Sequence, residues 1–344
     1  EKLKERLFAG MAERGITGEI AEEIFHKMKA FSNYGFPESH SVSFAYLVYA
    51  SSWIKFHEPA AFCAALINAQ PMGFWSPHTL VQDARRHGVT VRTPDLNASL
   101  AGATLEDEGA SVRLGIDSVR GIGSELAQQI EAERSERGSF RSPEDLVRRV
   151  PELTLAHLEA MATADLFGEC FGLERREALW AAGAVSQSRP GRLPGIVTGE
   201  RPPTLPGMTP MEESIADLWA TGVSPEGHPT RFLRDELSKL GVVTSAGLWE
   251  CEPSTRVVVA GVVTHRQRPM TAQGVTFLNL EDETGLINIV VSKGCWARFR
   301  TVARGAQAMV IRGRLERSEG VINIVAEHLA GMPVPAGTVS RDFR

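Results

Sequence analysis

Apolar residues recur at helical spacing through the first hundred positions. Leu3, Leu7 and Met11 lie four apart ahead of Gly15, a natural helix stop. Ile20, Ile24, Phe25 and Met28 mark the apolar face of a second helix. Residues 42–54 (VSFAYLVYASSWI) are apolar almost throughout and bracketed by His40 and Lys55. The run falls short of the ~20 residues that span a bilayer, so it predicts a core helix buried on all sides. Another helix opens at Glu58-Pro59, and Ser76-Pro77 is an N-cap with proline at the first helical position of a helix ending by Gly88. Residues 89–91 predict a short strand, 103–114 a hairpin turning at Glu108-Gly109, and 115–180 more helix. Residues 186–210 hold six prolines and four glycines without periodicity, which makes 185–211 a linker. A helical bridging segment at 212–250 follows it. The rest alternates as strands do, at 255–264, 275–280, 286–292, 308–315 and 320–325, with a short helix at 294–302. Five short strands with a helix after the third is the element order of an OB-fold barrel.

Composition narrows the class. The 344 residues suffice for two or three domains, and 43% apolar with 23% charged side chains excludes a chain disordered throughout. The net charge of −5 excludes a polybasic protein, yet residues 255–330 carry ten basic against six acidic side chains, so the barrel region is locally basic. Cysteines at 63, 170, 251 and 295 lie too far apart for a CxxC-type zinc pattern and suit a reducing cytoplasm, without membrane association.

Two regions carry candidate chemistry. Arg120-Gly121-Ile122-Gly123 sits between a short helical stretch at 116–119 and an amphipathic helix beginning at Ser124. Glycines permit a tight turn with close backbone approach, and the N–H groups opening the next helix face a phosphate. That is how helix-hairpin-helix modules grip the DNA backbone without reading sequence. A second helical pair, from Ser142-Pro143 and 155–161, makes the region tandem. Arg113, Arg120, Gly121, Ile122, Gly123 and Ser124 are the candidates for duplex contact. In the barrel, Arg266 and Arg268 in the first loop, Phe277, and Arg312 and Arg314 at strand spacing are candidates for single-stranded DNA; Trp296 reads as core.

Catalytic chemistry is hard to find. Asp95 is a lone carboxylate, and Glu281-Asp282-Glu283 at a strand end reads as a solvated turn. No GxSxG, HExxH, P-loop or GxGxxG motif occurs, and His26, His40, His57, His78 and His87 do not fall at metal-ligand spacing. The expectation is a chain with no catalytic residue, cofactor or metal site of its own.

The segment KAFSNYGFPESHSVSFAYLVYASSWIKFHEPAAFCAALINAQPMGFWSPHTLVQDARRHGV resembles the fingers region of bacterial C-family DNA polymerases, the DNA polymerase III alpha-subunit type. Replicative members read GFNKSHS there, whereas this chain has Pro37 and Glu38 in place of the Asn-Lys pair, a feature similar to the error-prone, damage-inducible ImuC-type paralogue. VRLGIDSVRGIGSELAQQI resembles the family's helix-hairpin-helix segment and DLWATGVSPEGHP its bridge to the OB domain. The resemblance implies a multidomain α+β chain: fingers at 1–100, a tandem helix-hairpin-helix region at 101–184, a linker, the bridging segment, a five-stranded OB-fold at 251–335 and a tail at 336–344. It implies a translesion DNA polymerase, part of the SOS mutagenesis response, whose palm and catalytic aspartates lie before Glu1, with Mg2+ serving that parent enzyme. It places His40 and Ser41 on the side of the incoming nucleotide. The implied partners are primer–template and single-stranded DNA, an ImuB-like protein, and the sliding clamp through that protein, since neither LPGMTP nor SIADLW is a clamp-binding peptide. The competing reading is a stand-alone DNA-binding or protein-interaction module.

Overall fold

The computed structural model describes residues 2–33, 38–73, 75–188, 191, 203–333 and 341–343. Pro37, most of the 185–211 linker and most of the 336–344 tail lie outside the described residues. The chain divides into two compact units, residues 1–57 and 58–344.

The first unit is helical: α1 (Lys2–Ala12), α2 (Glu19–Asn33) and α3 (Glu38–His57). Phe8 and Phe25 pack with ring centroids 5.6 Å apart, and the Lys4 ammonium lies 4.6 Å from the Phe25 ring. The apolar run at 42–54 forms α3 as its pattern requires, but the expected burial is corrected. Phe44, Tyr46, Leu47, Val48, Tyr49, Trp53 and Phe56 are each more than half exposed. An all-apolar helix records what it needs to be buried against, and α1 and α2 bury little more than Met11 and Ala21.

The second unit opens with α4 (Pro59–Asn68) and α5 (Pro77–Arg86). Strands β1 (Thr90–Arg92), β2 (Thr104–Glu106) and β3 (Ser111–Arg113) form a small sheet in the order β1-β3-β2, with β1 parallel to β3. Helices α6 (Gly123–Arg137), α7 (Pro143–Arg149), α8 (Leu155–Thr163), α9 (Gly168–Phe171) and α10 (Arg175–Val185) close over one core. Leu96, Ile116, Ile130, Leu146, Leu158, Met161 and Leu166 are fully buried in it. The stretch at 116–119 proves to be a single 3-10 turn, Ile116–Ser118. The bridge supplies α11 (Pro210–Thr221), opened by a Thr209–Glu212 capping box, then α12 (Pro229–Phe232) and α13 (Arg234–Lys239).

The barrel strands are β4 (Arg256–Gln267), β5 (Thr276–Asp282), β6 (Gly285–Val291), β7 (Ala308–Ser318) and β8 (Val321–Gly331), with α14 (Lys293–Arg298) and α15 (Arg300–Gly305) between β6 and β7. The order β5-β6-β8-β7-β4, closed by β4–β5 pairing, is the expected five-stranded barrel. Val259, Leu278, Leu280, Ile289, Ile311, Leu315 and Ile324 fill it. A short β9 (Arg341–Phe343) adds in parallel to β4 at His265–Gln267.

The acidic triplet Glu281-Asp282-Glu283 is not a solvated turn. Glu281 is 1% exposed and accepts from the Thr79 hydroxyl at 2.9 Å while pairing with Arg86 at 3.3 Å, so it joins the barrel to α5. Asp282 is fully buried; one oxygen accepts the Ser245 N–H at 2.7 Å and the other the N–H groups of Thr284 and Gly285. Glu283 is held by both Nε and Nη2 of Arg234 and by the Thr230 hydroxyl. Beside them the rings of His78 and His228 stack 5.6 Å apart, and Gln82 Nε2 donates to Ser224 O at 3.0 Å. Charge alone marked these acids as surface groups; their cationic and hydroxyl partners come from α5 and α12–α13, up to 202 residues away in sequence.

Candidate nucleic-acid interface

The hairpin begins where Val119 is extended and Arg120 N–H donates to Ala220 O at 2.7 Å. Gly121 and Gly123 take φ +84° and +67°, the left-handed region that costs a side-chain-bearing residue about 1–2 kcal/mol. Ile122 between them is 5% exposed and inserts into the helical core, so it anchors the hairpin from behind and does not contact DNA through its side chain. Arg120, Gly121, Gly123 and Ser124 are exposed. The residue before α6 offers no side-chain cap, so the first N–H groups of this 15-residue helix receive no side-chain acceptor from it. That is a cradle for an anion at the positive end of the helix.

Two residues missed in the sequence complete this surface. His157 Nδ1 accepts the Thr154 N–H at 3.2 Å, so a neutral ring carries its proton on Nε2. That nitrogen lies 4.0 Å from where a Cβ on Gly121 would stand. The Thr154-x-x-His157 capping box was the available signal. Trp219 of α11, 44% exposed, carries the Arg120 guanidinium 4.9 Å from its ring centroid. Arg113, by contrast, is 3% exposed and paired with Glu106 and Glu169, so its charge is neutralised within the fold.

In the barrel, the candidate residues separate onto two surfaces. Strand register aligns Phe277, Val290, Val325 and Arg314 in one row across β5, β6, β8 and β7. The next row is Asn279, Asn288, Asn323 and Glu316. Asn279 Nδ2 donates to Asn288 Oδ1 at 2.8 Å, and Phe277 is 38% exposed. This outer face offers a ring for stacking, amides for base edges and, in Arg312 and Arg314, cations for phosphates; Arg314 also pairs with Glu316 at 2.7 Å.

Arg266 and Arg268 lie elsewhere, at the end of the barrel beside α14–α15. Arg266 is 7% exposed and donates to the carbonyls of Ala303 and Ala306, so it caps the C-terminal end of α15 and does not reach a nucleic-acid strand. Arg268 is exposed over Trp296, 5.8 Å from its centroid; Trp296 is half-buried against the barrel core. His40 is exposed on α3 with its ring against Phe44, and Ser41 is half-buried.

Among the described residues, no three His, Cys, Asp or Glu side chains come together as a metal site. Each carboxylate of the acidic triplet is engaged within the protein. These residues do not fit the Mg2+ of a polymerase. Among the described residues no helix is long and apolar enough to cross a membrane.

Comparisons with known proteins recover both domains. Residues 88–178 match the helix-hairpin-helix motif family, and residues 257–330 match the OB-fold nucleic acid binding domain family. The whole chain aligns with the error-prone DNA polymerase of Mycolicibacterium paratuberculosis at 54% identity, covering 31% of that protein. It aligns with that of Nocardia farcinica at 55%, covering 100% of this chain and 30% of the relative. This chain is a homologue of part of the error-prone DNA polymerases. The error-prone DNA polymerase of Cutibacterium acnes is 45% identical over 389 residues, covering 100% of this chain and 34% of that protein. The chain thus spans about a third of the length of these error-prone polymerase relatives. Among solved structures, asparaginyl-tRNA synthetase from Pyrococcus horikoshii matches with TM-score 0.24 and 21% identity over 29% of this chain and 23% of that one, a likeness too slight to carry any argument.

Proposed function

We propose that this chain is the DNA-gripping portion of an error-prone DNA polymerase that copies damaged templates. The hairpin at Arg120–Gly123 holds the phosphate backbone of the primer–template duplex through the N–H groups opening α6, with Arg120 and His157 adding donors. The outer barrel face that carries Phe277, Asn279, Asn288, Arg312 and Arg314 holds single-stranded template. His40 and Ser41 on α3 face the incoming nucleotide. The apolar surface of α3 is covered by the remainder of the parent enzyme, which also supplies the catalytic carboxylates and their Mg2+. Recruitment runs through an ImuB-like partner and, by way of it, the sliding clamp.

The observation that carries this reading is the hairpin. Two left-handed glycines flank a buried anchor, and a long helix starts beside them without a side-chain cap. The similarity to error-prone DNA polymerases over the whole chain supports it. Fluorescence anisotropy with labelled primer–template across a salt series tests it. A hairpin reaching two to four phosphates gives a log–log slope of about −2 to −4, since each contact contributes roughly −0.9 on duplex DNA. Phe277→Ala weakens single-strand binding about tenfold, as expected for the loss of one stacked base. A flat salt dependence contradicts the reading.

A further inference from the structure

The end of the barrel carries a second binding surface, distinct in chemistry from the strand row. A cleft of about 1160 Å³ lies between the β4–β5 loop and α14–α15, lined by Arg268, Met270, Thr276, Trp296, Arg300 and Arg304. Among the described residues no carboxylate lines it. Arg268, Arg300 and Arg304 are exposed, and Met270 is 97% exposed at its lip. Thr276 is 1% exposed, and its hydroxyl, buried within the cleft wall, has no hydrogen-bond partner among the described residues. A buried hydroxyl of this kind is satisfied when a ligand supplies the partner.

We propose that this cleft docks an extended acidic peptide of a partner protein. The charge complementarity is one-sided, three exposed guanidinium groups without a carboxylate in the cleft among the described residues, and guanidinium forks match carboxylates in pairs. Single-stranded DNA is the weaker occupant because the cleft's aromatic, Trp296, already carries Arg268 over its ring, whereas the free ring, Phe277, belongs to the outer strand row. The Met270 lip suits an apolar peptide side chain. The adjoining edge of β4 already accepts an extended segment: residues 341–343 pair with it in parallel, with Asp342 in register with Arg266. That pairing shows that this end of the barrel holds an extended segment.

The test uses the full chain with a fluorescein-labelled peptide of Asp-Leu-Glu repeats, and oligothymidylate as competitor. The peptide is expected to bind. Arg268→Glu together with Arg304→Glu, both on exposed side chains, weakens it by about tenfold or more. Thr276→Val weakens it several-fold with no change of charge, a loss that general attraction for polyanions does not explain. Phe277→Ala leaves it unchanged, and oligothymidylate does not displace it. Absence of peptide binding at low salt overturns the proposal. So does full displacement by oligothymidylate with parallel losses in the arginine variants, which assigns the cleft to the single strand. Neither outcome bears on duplex binding by the hairpin, which primer–template anisotropy reports separately.

Discussion

Gly121→Val with Gly123→Val is expected to lower affinity for primer–template DNA about a hundredfold. Both glycines hold φ values that a β-branched residue tolerates poorly. Ile122 is fixed in the core between them, so strain is relieved by displacing the exposed N–H groups on either side. Losing two hydrogen bonds to a charged phosphate oxygen costs about 3 kcal/mol, or two decades in affinity. The barrel, built on a separate core, retains single-strand binding. Anisotropy with both DNA forms checks this, alongside the urea midpoint of the variant. Equal losses for duplex and single strand point to general unfolding and contradict a local role for the hairpin.

The second large effect concerns pH. His78 is buried beside His228, Arg85 and Arg86; desolvation first, and the arginines second, push its pKa from 6.5 down to about 4. A histidine with a depressed folded-state pKa binds its proton more readily when unfolded. Stability is therefore complete above pH 6.5 and declines as pH falls toward 4, by at most about 3 kcal/mol for this one group. His228 is lowered for the same leading reason and adds in the same direction. Asp217 opposes them. Burial raises its pKa from 3.8 to about 6 against the pull of Arg175, so its contribution weakens as pH rises through that interval. Urea unfolding between pH 4 and 7 compares the chain with His78→Asn, which keeps an acceptor for the Ser224 N–H. The variant is expected to show a shallower acid loss; identical slopes remove His78 from the account.

Much of the fold was legible because its signals are local. The Ser76-Pro77 and Ser142-Pro143 caps, the glycines at 121 and 123 and the five alternating strands each act within a few residues. What could not be read depends on distant partners. Arg266 and Arg268 look alike in sequence, yet one caps α15 and the other faces solvent. Arg312, Arg314 and Phe277 share one outer surface while the loop arginines do not, because barrel closure assigns the faces. The parallel β1–β3 pairing, the burial of Glu281 against Arg86, and the placing of Trp219 against Arg120 likewise join residues far apart in the chain. His157 was concealed by its ordinary role in a capping box.

Hydrogen–deuterium exchange of the full chain, free and bound to duplex or single-stranded DNA, tests the central claim most directly. Two separate grips predict duplex protection at residues 119–125 and single-strand protection at 276–291, each without the other. Protection of neither segment, or of both equally by either DNA, contradicts the account.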